Sequence, residues 1–252
     1  MATTRDLINK TLRGLRQYGL IIDAADTETS DDYIRMLLQF VNEAKEEVEE
    51  AGWSWQALRQ TVTVAVVAGQ VEYDITIAAD ADVDTNDRTR LLYENVTQMG
   101  SSEGFFDSTS ARPQVFDVTD STEHRLVEWN NEKVERHHML DNNETQTILY
   151  AFSIYSDSDS VKLKLFPTPA ANRTLKLRMY IPQAELAENA LGTTISIPSR
   201  PIWTLSLLKA NQERGDELGK EGSTLHLAYL NAHGAAVARE QSPSDMTVGL
   251  DR

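Results

Sequence analysis

The stretch that decides the fold runs from Tyr33 to Ile77: YIRMLLQFVNEAKEEVEE (33–50), AGWSWQALRQ (51–60) and TVTVAVVAGQVEYDITI (61–77). In its first part Tyr33, Met36, Leu37, Phe40, Val41, Ala44 and Val48 recur every three or four residues, which places them on one stripe of a helix. Thr29 and Asp32 stand in capping-box spacing at its start, Gly52 marks its end, and Glu46, Glu47, Glu49 and Glu50 supply an opposite, charged face. From Gln60 the period drops to two. Thr61–Val67 and Val71–Ile77 are β-branched runs flanking Ala68-Gly69-Gln70, and Val71, Tyr73, Ile75 and Ile77 alternate with Glu72, Asp74 and Thr76, which predicts a hairpin.

Upstream, Thr3 and Asp6 repeat the capping-box spacing ahead of Ile8, Leu12 and Leu15, so a short helix is expected before Gly19. Downstream, further strands are expected at 91–96, 115–119, 125–129, 147–155, 161–166 and 174–181. Ser156–Ser160 reads as the turn between two of them. With no helical period between these runs, the region reads as an antiparallel sheet, sandwich or barrel, not as βαβ units. The polar loops 78–90 and 100–112 exceed the usual connection and are candidates for contact with neighbours.

The helical period returns after Ile197-Pro198. Ser199 is a candidate cap for a helix with Pro201 in its first turn and Ile202, Leu205 and Leu208 on its stripe; Gly215, Gly219 and Gly222 signal its end. A last helix from Ser223 would bury Leu225, Ala228, Tyr229, Ala232, Ala235 and Ala236. Two helical segments at each chain end, each with an apolar stripe to cover, are most simply packed together. The expected fold is therefore α+β: a discontinuous four-helix bundle from residues 1–60 and 199–240, an inserted antiparallel sheet or sandwich-like domain over 61–198, and an extended tail at 241–252.

Composition narrows the function. Forty percent hydrophobic and 25% charged residues suit a globular chain, and 39 acidic against 24 basic residues give a net charge of -15. Nucleic-acid binding relies on Lys and Arg to neutralise phosphate, so this balance argues against a DNA- or RNA-binding protein, though not against a channel through which DNA passes without sticking. The absence of cysteine removes disulfides and thiolate chemistry. The polar stretch Met1–Lys10 is no signal peptide, and no apolar run approaches the roughly 18 residues of a membrane span.

Motifs for catalysis are missing: no GxGxxG, GxxxxGK[ST], GxSxG or HExxH occurs. Asp80, Asp82, Asp84 and Asn86 imitate the start of a calcium loop, but Thr85 replaces the turn glycine and Leu91 the bidentate glutamate, so a solvated acidic loop is expected. His137 and His138, read as strand neighbours, would face opposite ways; Glu135 and His137 would share a face but lack a third ligand. His226 and His233 lie seven apart on one helical face, which suits a surface or intersubunit position. Neither a metal nor a cofactor is expected. Trp53 and Trp55, at the helix-to-strand junction, are candidates for an interdomain core or an aromatic interface anchor.

The junction carries a family resemblance. The helix end Val41-Asn42-Glu43-Ala44-Lys45-Glu46-Glu47-Val48, then Trp53-Ser54-Trp55-Gln56-Ala57-Leu58-Arg59, then a Thr/Val strand to Gly69-Gln70-Val71-Glu72-Tyr73-Asp74, resembles head-to-tail adaptor proteins of tailed bacteriophages, called tail tubular protein A in short-tailed phages. Leu163-Lys164-Leu165-Phe166-Pro167-Thr168-Pro169, Thr174–Tyr180 and the closing helices after Ile197-Pro198 are similar as well, while Ile75-Thr76-Ile77 stands where the family continues Leu-Pro.

The resemblance implies a non-enzymatic virion protein of the neck, assembled in the host cytoplasm. It implies a ring of twelve copies beneath the portal protein that continues the DNA channel and receives the tail nozzle or next tail component. The helical domain would build the ring, and the tail, with Gln241, Pro243, Met246, Val248, Leu250 and Arg252 as contact candidates, would reach the portal. The alternatives are another neck or tail-completion protein, told apart by direct portal contact and twelve-fold symmetry, and a β-sandwich carbohydrate-binding or carbohydrate-active protein, told apart by turnover or by glycan binding at Trp129.

Overall fold

The computed structural model describes residues 2–26, 28, 31–51, 55–77, 81–82, 89–96, 110–119, 124–140, 145–157, 160–215 and 220–240. Its helices are α1 (Thr4–Gly14), α2 (Asp32–Glu50), α3 (Asn131–Leu140), α4 (Ser199–Glu213) and α5 (Lys220–Glu240). The strands in chain order are β1 (Arg59–Val66), β2 (Glu72–Asp74), β3 (Thr76–Ile77), β4 (Ala81–Asp82), β5 (Arg90–Leu91), β6 (Tyr93–Val96), β7 (Ser110–Pro113) and β8 (Val115–Asp117). They continue with β9 (His124–Arg125), β10 (Val127–Glu128), β11 (Thr145–Gln146), β12 (Ala151–Asp157), β13 (Ser160–Phe166), β14 (Thr168–Pro169) and β15 (Arg173–Tyr180). Contacts divide this α+β chain into a helical unit, Met1–Leu58 with Pro182–Arg252, and a β unit, Arg59–Ile181.

In the helical unit α1 starts where its capping box predicts: Thr3 Oγ1 accepts from the Asp6 N–H at 3.2 Å, and the Asp6 carboxylate accepts from the Thr3 N–H at 2.9 Å. It stops at Gly14, short of Gly19. Helix α2 is capped by Asp31, which accepts from the Tyr33 and Ile34 amides at 2.8 and 3.2 Å; the expected cap Thr29 lies outside the described residues. Ser199 is the first residue of α4 and not its cap, since Pro198 occupies that position and offers no side-chain bond.

Helix α4 is the hub, packed by α1, α2 and α5, so it buries Ile202, Leu205, Leu207, Leu208 and Ala210 around its circumference. Its approach to α1 is close enough that a Cβ on Gly14 would lie 2.8 Å from Leu207 Cδ1.

The segment 182–198, which the sequence assigns to the insertion, belongs to the helical unit. Polar residues of α2 hold it there. Asn42 donates to Leu186 O at 3.1 Å and accepts from the Leu186 N–H at 2.9 Å, while the Lys45 ammonium donates to Gln183 O and Ala184 O at 2.5 and 2.9 Å. Glu49 accepts from the Gln183 N–H at 3.3 Å. Lys45 and Glu49 are both fully buried, so Glu49 is not on a charged outer face. Leu186, Leu191, Ile195 and Ile197 complete the segment's burial.

In the β unit the expected hairpin of 61–77 does not form. Strand β1 pairs along its length with β15, from Arg59↔Tyr180 to Val66↔Arg173, whereas β2 pairs with β13 through Leu163↔Tyr73. The turn between them, with Gly69 at φ 81°, carries the chain from one sheet to another. One sheet has the order β1-β15-β8-β9 with β5 also on β15; the other is β10-β12-β13-β2. Both bury their alternating residues in one core: Val62, Val64, Leu175 and Leu177 from the first, Tyr73, Phe152, Leu163 and Leu165 from the second. The turn expected at Ser156–Ser160 joins antiparallel β12 and β13, with Asp157 opposite Ser160.

Two features of the β unit escape the sequence pattern. Helix α3 lies between β10 and β12, which pair in parallel, so the region contains one β-α-β crossover. The Asp117–Arg173 ion pair is buried; burial raises the Asp117 pKa, but bonds from the Thr119 hydroxyl and amide and from Arg173 outweigh it and hold the carboxyl below its usual range.

Candidate assembly surfaces

Helix α5 is built against the usual pattern of a surface helix. From Gly222 to Ala238 it reads GSTLHLAYLNAHGAAVA, without one Asp, Glu, Lys or Arg. A helix that is apolar all round is normally covered all round. Here Ala232 and Ala236 are buried, and Leu225, Ala228 and Tyr229 are half-buried. The other side is open: Leu227 and Leu230 are 58% and 50% exposed, and Asn231, Gly234, Ala235 and Ala238 are exposed with them. Ala235, expected on the buried side, faces out.

Beneath α5, Trp55 is fully buried. Its indole N–H donates to Val48 O at 2.9 Å, and its ring meets His233 edge-on at 5.8 Å. It is thus a core residue of the helical unit and no exposed anchor; Trp53 lies outside the described residues. Burial holds the His233 pKa below its usual value, while His226 is exposed beside Tyr229. Lys209 of α4 reaches Glu43 at 3.3 Å and also Glu47 of α2; burial lowers its pKa, but the two carboxylates raise it further, so it stays charged.

A cleft of about 490 Å³ opens beside the end of α1, with Gly14, Arg16, Asn211, Arg214 and Thr224 among its lining. Arg214 is fixed by neutral acceptors, Tyr33 Oη at 2.7 Å and Leu15 O at 3.4 Å.

On the β unit, α3 carries the histidines, which are helical and not on a strand. His138 Nε2 lies 2.9 Å from Leu165 O, and the His137 ring packs on Trp129 and Phe166 at 4.9 and 5.3 Å. Trp129 is also stacked with Phe166 at 5.5 Å and covered by the Lys133 ammonium at 3.9 Å, so it is not set out as an open platform for a sugar ring. Lys164 bridges Glu72 and Glu135 at 2.9 and 3.1 Å. Among the described residues no three His, Asp or Glu side chains are grouped to hold a metal ion, and no helix is long and apolar enough to cross a membrane. Asp80, Asp84 and Asn86, the side chain of Asp82, and the portal-contact candidates Gln241, Pro243, Met246, Val248, Leu250 and Arg252 lie outside what the structure describes.

The uncharged open face of α5 is a surface suited to assembly. The family model described as SU10 adaptor protein matches residues 16–247, nearly the whole chain. The chain belongs to the SU10 adaptor family. This is a phage head-to-tail adaptor family, so the adaptor is a virion component that meets other head and tail components. No curated protein matches the chain. The match reaches into both parts of the adaptor's helical unit, leaving out α1, and covers the whole β unit.

The open face of α5 was legible in the sequence as a run of 17 uncharged residues at 222–238, a signal that the stripe of small alanines obscured. The cleft with Arg16 and Arg214 had no such signal, because its two arginines are 198 positions apart and meet only through packing.

Proposed function

We propose that the adaptor is a non-enzymatic subunit of the phage neck that closes, in twelve copies, into a ring joining the portal to the tail and continuing the DNA channel. The open, uncharged face of α5 is the observation that supports self-assembly. Copies of a chain with net charge -15 repel one another, and α5 offers a surface at which two of them can meet without setting carboxylate against carboxylate. Leu227 and Leu230 supply apolar area, and Gly234, Ala235 and Ala238 let a neighbouring backbone approach. In this reading residues 241–252 reach the portal and the β unit offers the platform for the next tail component. The acidic balance leaves the lumen without affinity for the DNA that traverses it.

The test is imaging and mass measurement of the purified full chain, alone and with portal protein. Wild-type chain is expected to form rings on the portal. The double variant Leu227→Glu/Leu230→Glu should stay monomeric with an unchanged circular dichroism spectrum, and a chain ending at Glu240 should form rings that no longer attach. A wild-type chain that remains monomeric and never joins the portal overturns the proposal.

A further inference from the structure

Helix α1 ends in a complete Schellman motif. The Gln17 N–H bonds to Leu12 O at 2.8 Å, the Arg16 N–H bonds to Arg13 O at 3.1 Å, and Arg16 between them has φ +60°. Glycine is the usual occupant of that position, because a Cβ in the left-handed region crowds the following carbonyl. Arg16 is the one non-glycine among the described residues with positive φ. A residue held against its backbone preference, where glycine would serve the helix better, points to a task for its side chain.

Arg16 lines the cleft of about 490 Å³ together with Arg214, and among the described residues no Asp or Glu lines it. The contrast with the rest of the chain is one of charge. Several buried or half-buried cations elsewhere are matched to acids, Lys45 with Glu49, Lys164 with Glu72 and Glu135, Arg173 with Asp117, Lys209 with Glu43 and Glu47, while half-buried Arg5 is held by the backbone carbonyls of Ala24 and Asp26. Among the described residues neither Arg16 nor Arg214 has a carboxylate partner. Arg214 is oriented by a tyrosine hydroxyl and a backbone carbonyl, which fix its guanidinium without neutralising it. Two arginines in one lining, beside Asn211, whose amide also donates to Leu207 O at 3.0 Å, make a cationic site suited to a carboxylate.

The cleft also adjoins the open face of α5. Thr224 lines it, and Leu227 stands one helical turn further along. An apolar stripe with a charged, polar end has the composition of an interface core and its rim.

The geometry points to this cleft as the receptor for carboxylate side chains of a second copy of the chain, a reading that rests on the proposed self-assembly. Charge complementarity selects the donor. Helix α2 carries Asp32, Glu43, Glu46, Glu47, Glu49 and Glu50 against Arg35 and Lys45; with Lys45 and Glu49 buried its outer surface keeps an acidic excess, part of which Lys209 of α4 offsets at Glu43 and Glu47. A basic cleft on one copy meeting the acidic α2 of the next is a contact between unlike patches. Unlike patches propagate around a ring, whereas a self-matching patch stops at a dimer.

Arg16→Gly separates function from folding. Relieved of its left-handed arginine, the variant should melt at a higher temperature than the wild type. Its ring-to-monomer dissociation constant should nevertheless rise at least tenfold, as should its hexaglutamate Kd in titration calorimetry at low salt. Arg16→Lys, which keeps the charge, should assemble more nearly as the wild type does. Rings that form equally well in Arg16→Gly overturn this contact alone and leave the ring proposal standing, whereas a wild-type chain that never assembles overturns both. Equal hexaglutamate binding by the two chains, or binding of a DNA duplex in place of hexaglutamate at this cleft, also overturns the assignment.

Discussion

Replacing Lys45 by methionine tests how the helical unit captures the segment 182–198. Lys45 has no exposed surface, its ammonium donates to Gln183 O and Ala184 O at 2.5 and 2.9 Å, and Glu49, equally buried, is 3.9 Å away. Methionine keeps the bulk of the stem and removes the charge. It removes the ammonium that serves two carbonyls and one cation from beside the buried Glu49 carboxylate. Removing one partner of a buried pair costs about 3–5 kcal/mol, and two bonds from a charged donor at about 1.5–3 kcal/mol each give a similar figure. A loss of about 4 kcal/mol is therefore expected, a large share of the ~5–15 kcal/mol that stabilises a typical domain.

Because two units need not unfold together, the readout should be local. The amide of Leu186, bonded to Asn42 at 2.9 Å, and that of Ile195, bonded to Ala2 O at 2.9 Å, report on the captured segment by hydrogen exchange. Their protection should fall by roughly a thousandfold, since about 1.4 kcal/mol is a factor of ten. Leu177 in the β unit should be unaffected. Lys45→Met with Glu49→Leu should recover much of the loss, because exchanging a whole buried pair for apolar side chains is often neutral. A loss below about 1 kcal/mol for the single variant, or a double variant less stable than the single, refutes the reasoning.

The helical unit should also lose stability in acid. Burial lowers the folded-state pKa of His233, so as pH falls below the unfolded value of about 6.5 the unfolded chain takes up a proton that the folded chain resists. Stability present at neutral pH is lost as pH falls through the folded pKa. Melting curves from pH 7.5 to 5 should show this slope, and His233→Leu should flatten it. Gly14→Ala should change the stability of the helical unit by no more than about 1 kcal/mol in chemical denaturation, because alanine's better helix propensity offsets the shift needed at the Leu207 methyls, 2.8 Å from the new Cβ. Adding Leu207→Ala should remove that contact and leave the cost of the smaller core side chain.

What was legible in the sequence was legible because it is local. Thr3 and Asp6 announce the start of α1 from three residues' spacing, and the alternation in β13 and β15 matches their burial. The errors have a common cause. Val71–Ile77 alternates like the second strand of a hairpin, yet alternation records which residues are buried and not which strand lies alongside; β1 found β15, more than 100 residues away. Residues 131–140, ERHH at their centre, have one buried apolar residue, Val134, and so gave no helical stripe for α3 to be read from. Glu49 was read onto the charged face, and the burial of Asn42 and Lys45 had no signal, because polar side chains do not disclose that a distant backbone will supply their partners.

By itself the sequence determined the α+β class, the helix-rich ends, the sheet-rich middle and the acidic character, all fixed by short-range periodicity and composition. It also carried the family resemblance, in turns and packing residues around the junction at Gly52–Gly69. Only the tertiary structure decided that 182–198 joins the helices, that the two β-runs separate into different sheets, and that Arg16 and Arg214 share one cleft. Each of these depends on which distant segments satisfy a buried hydrogen bond or fill a shared core, and that choice is made by the folded chain as a whole.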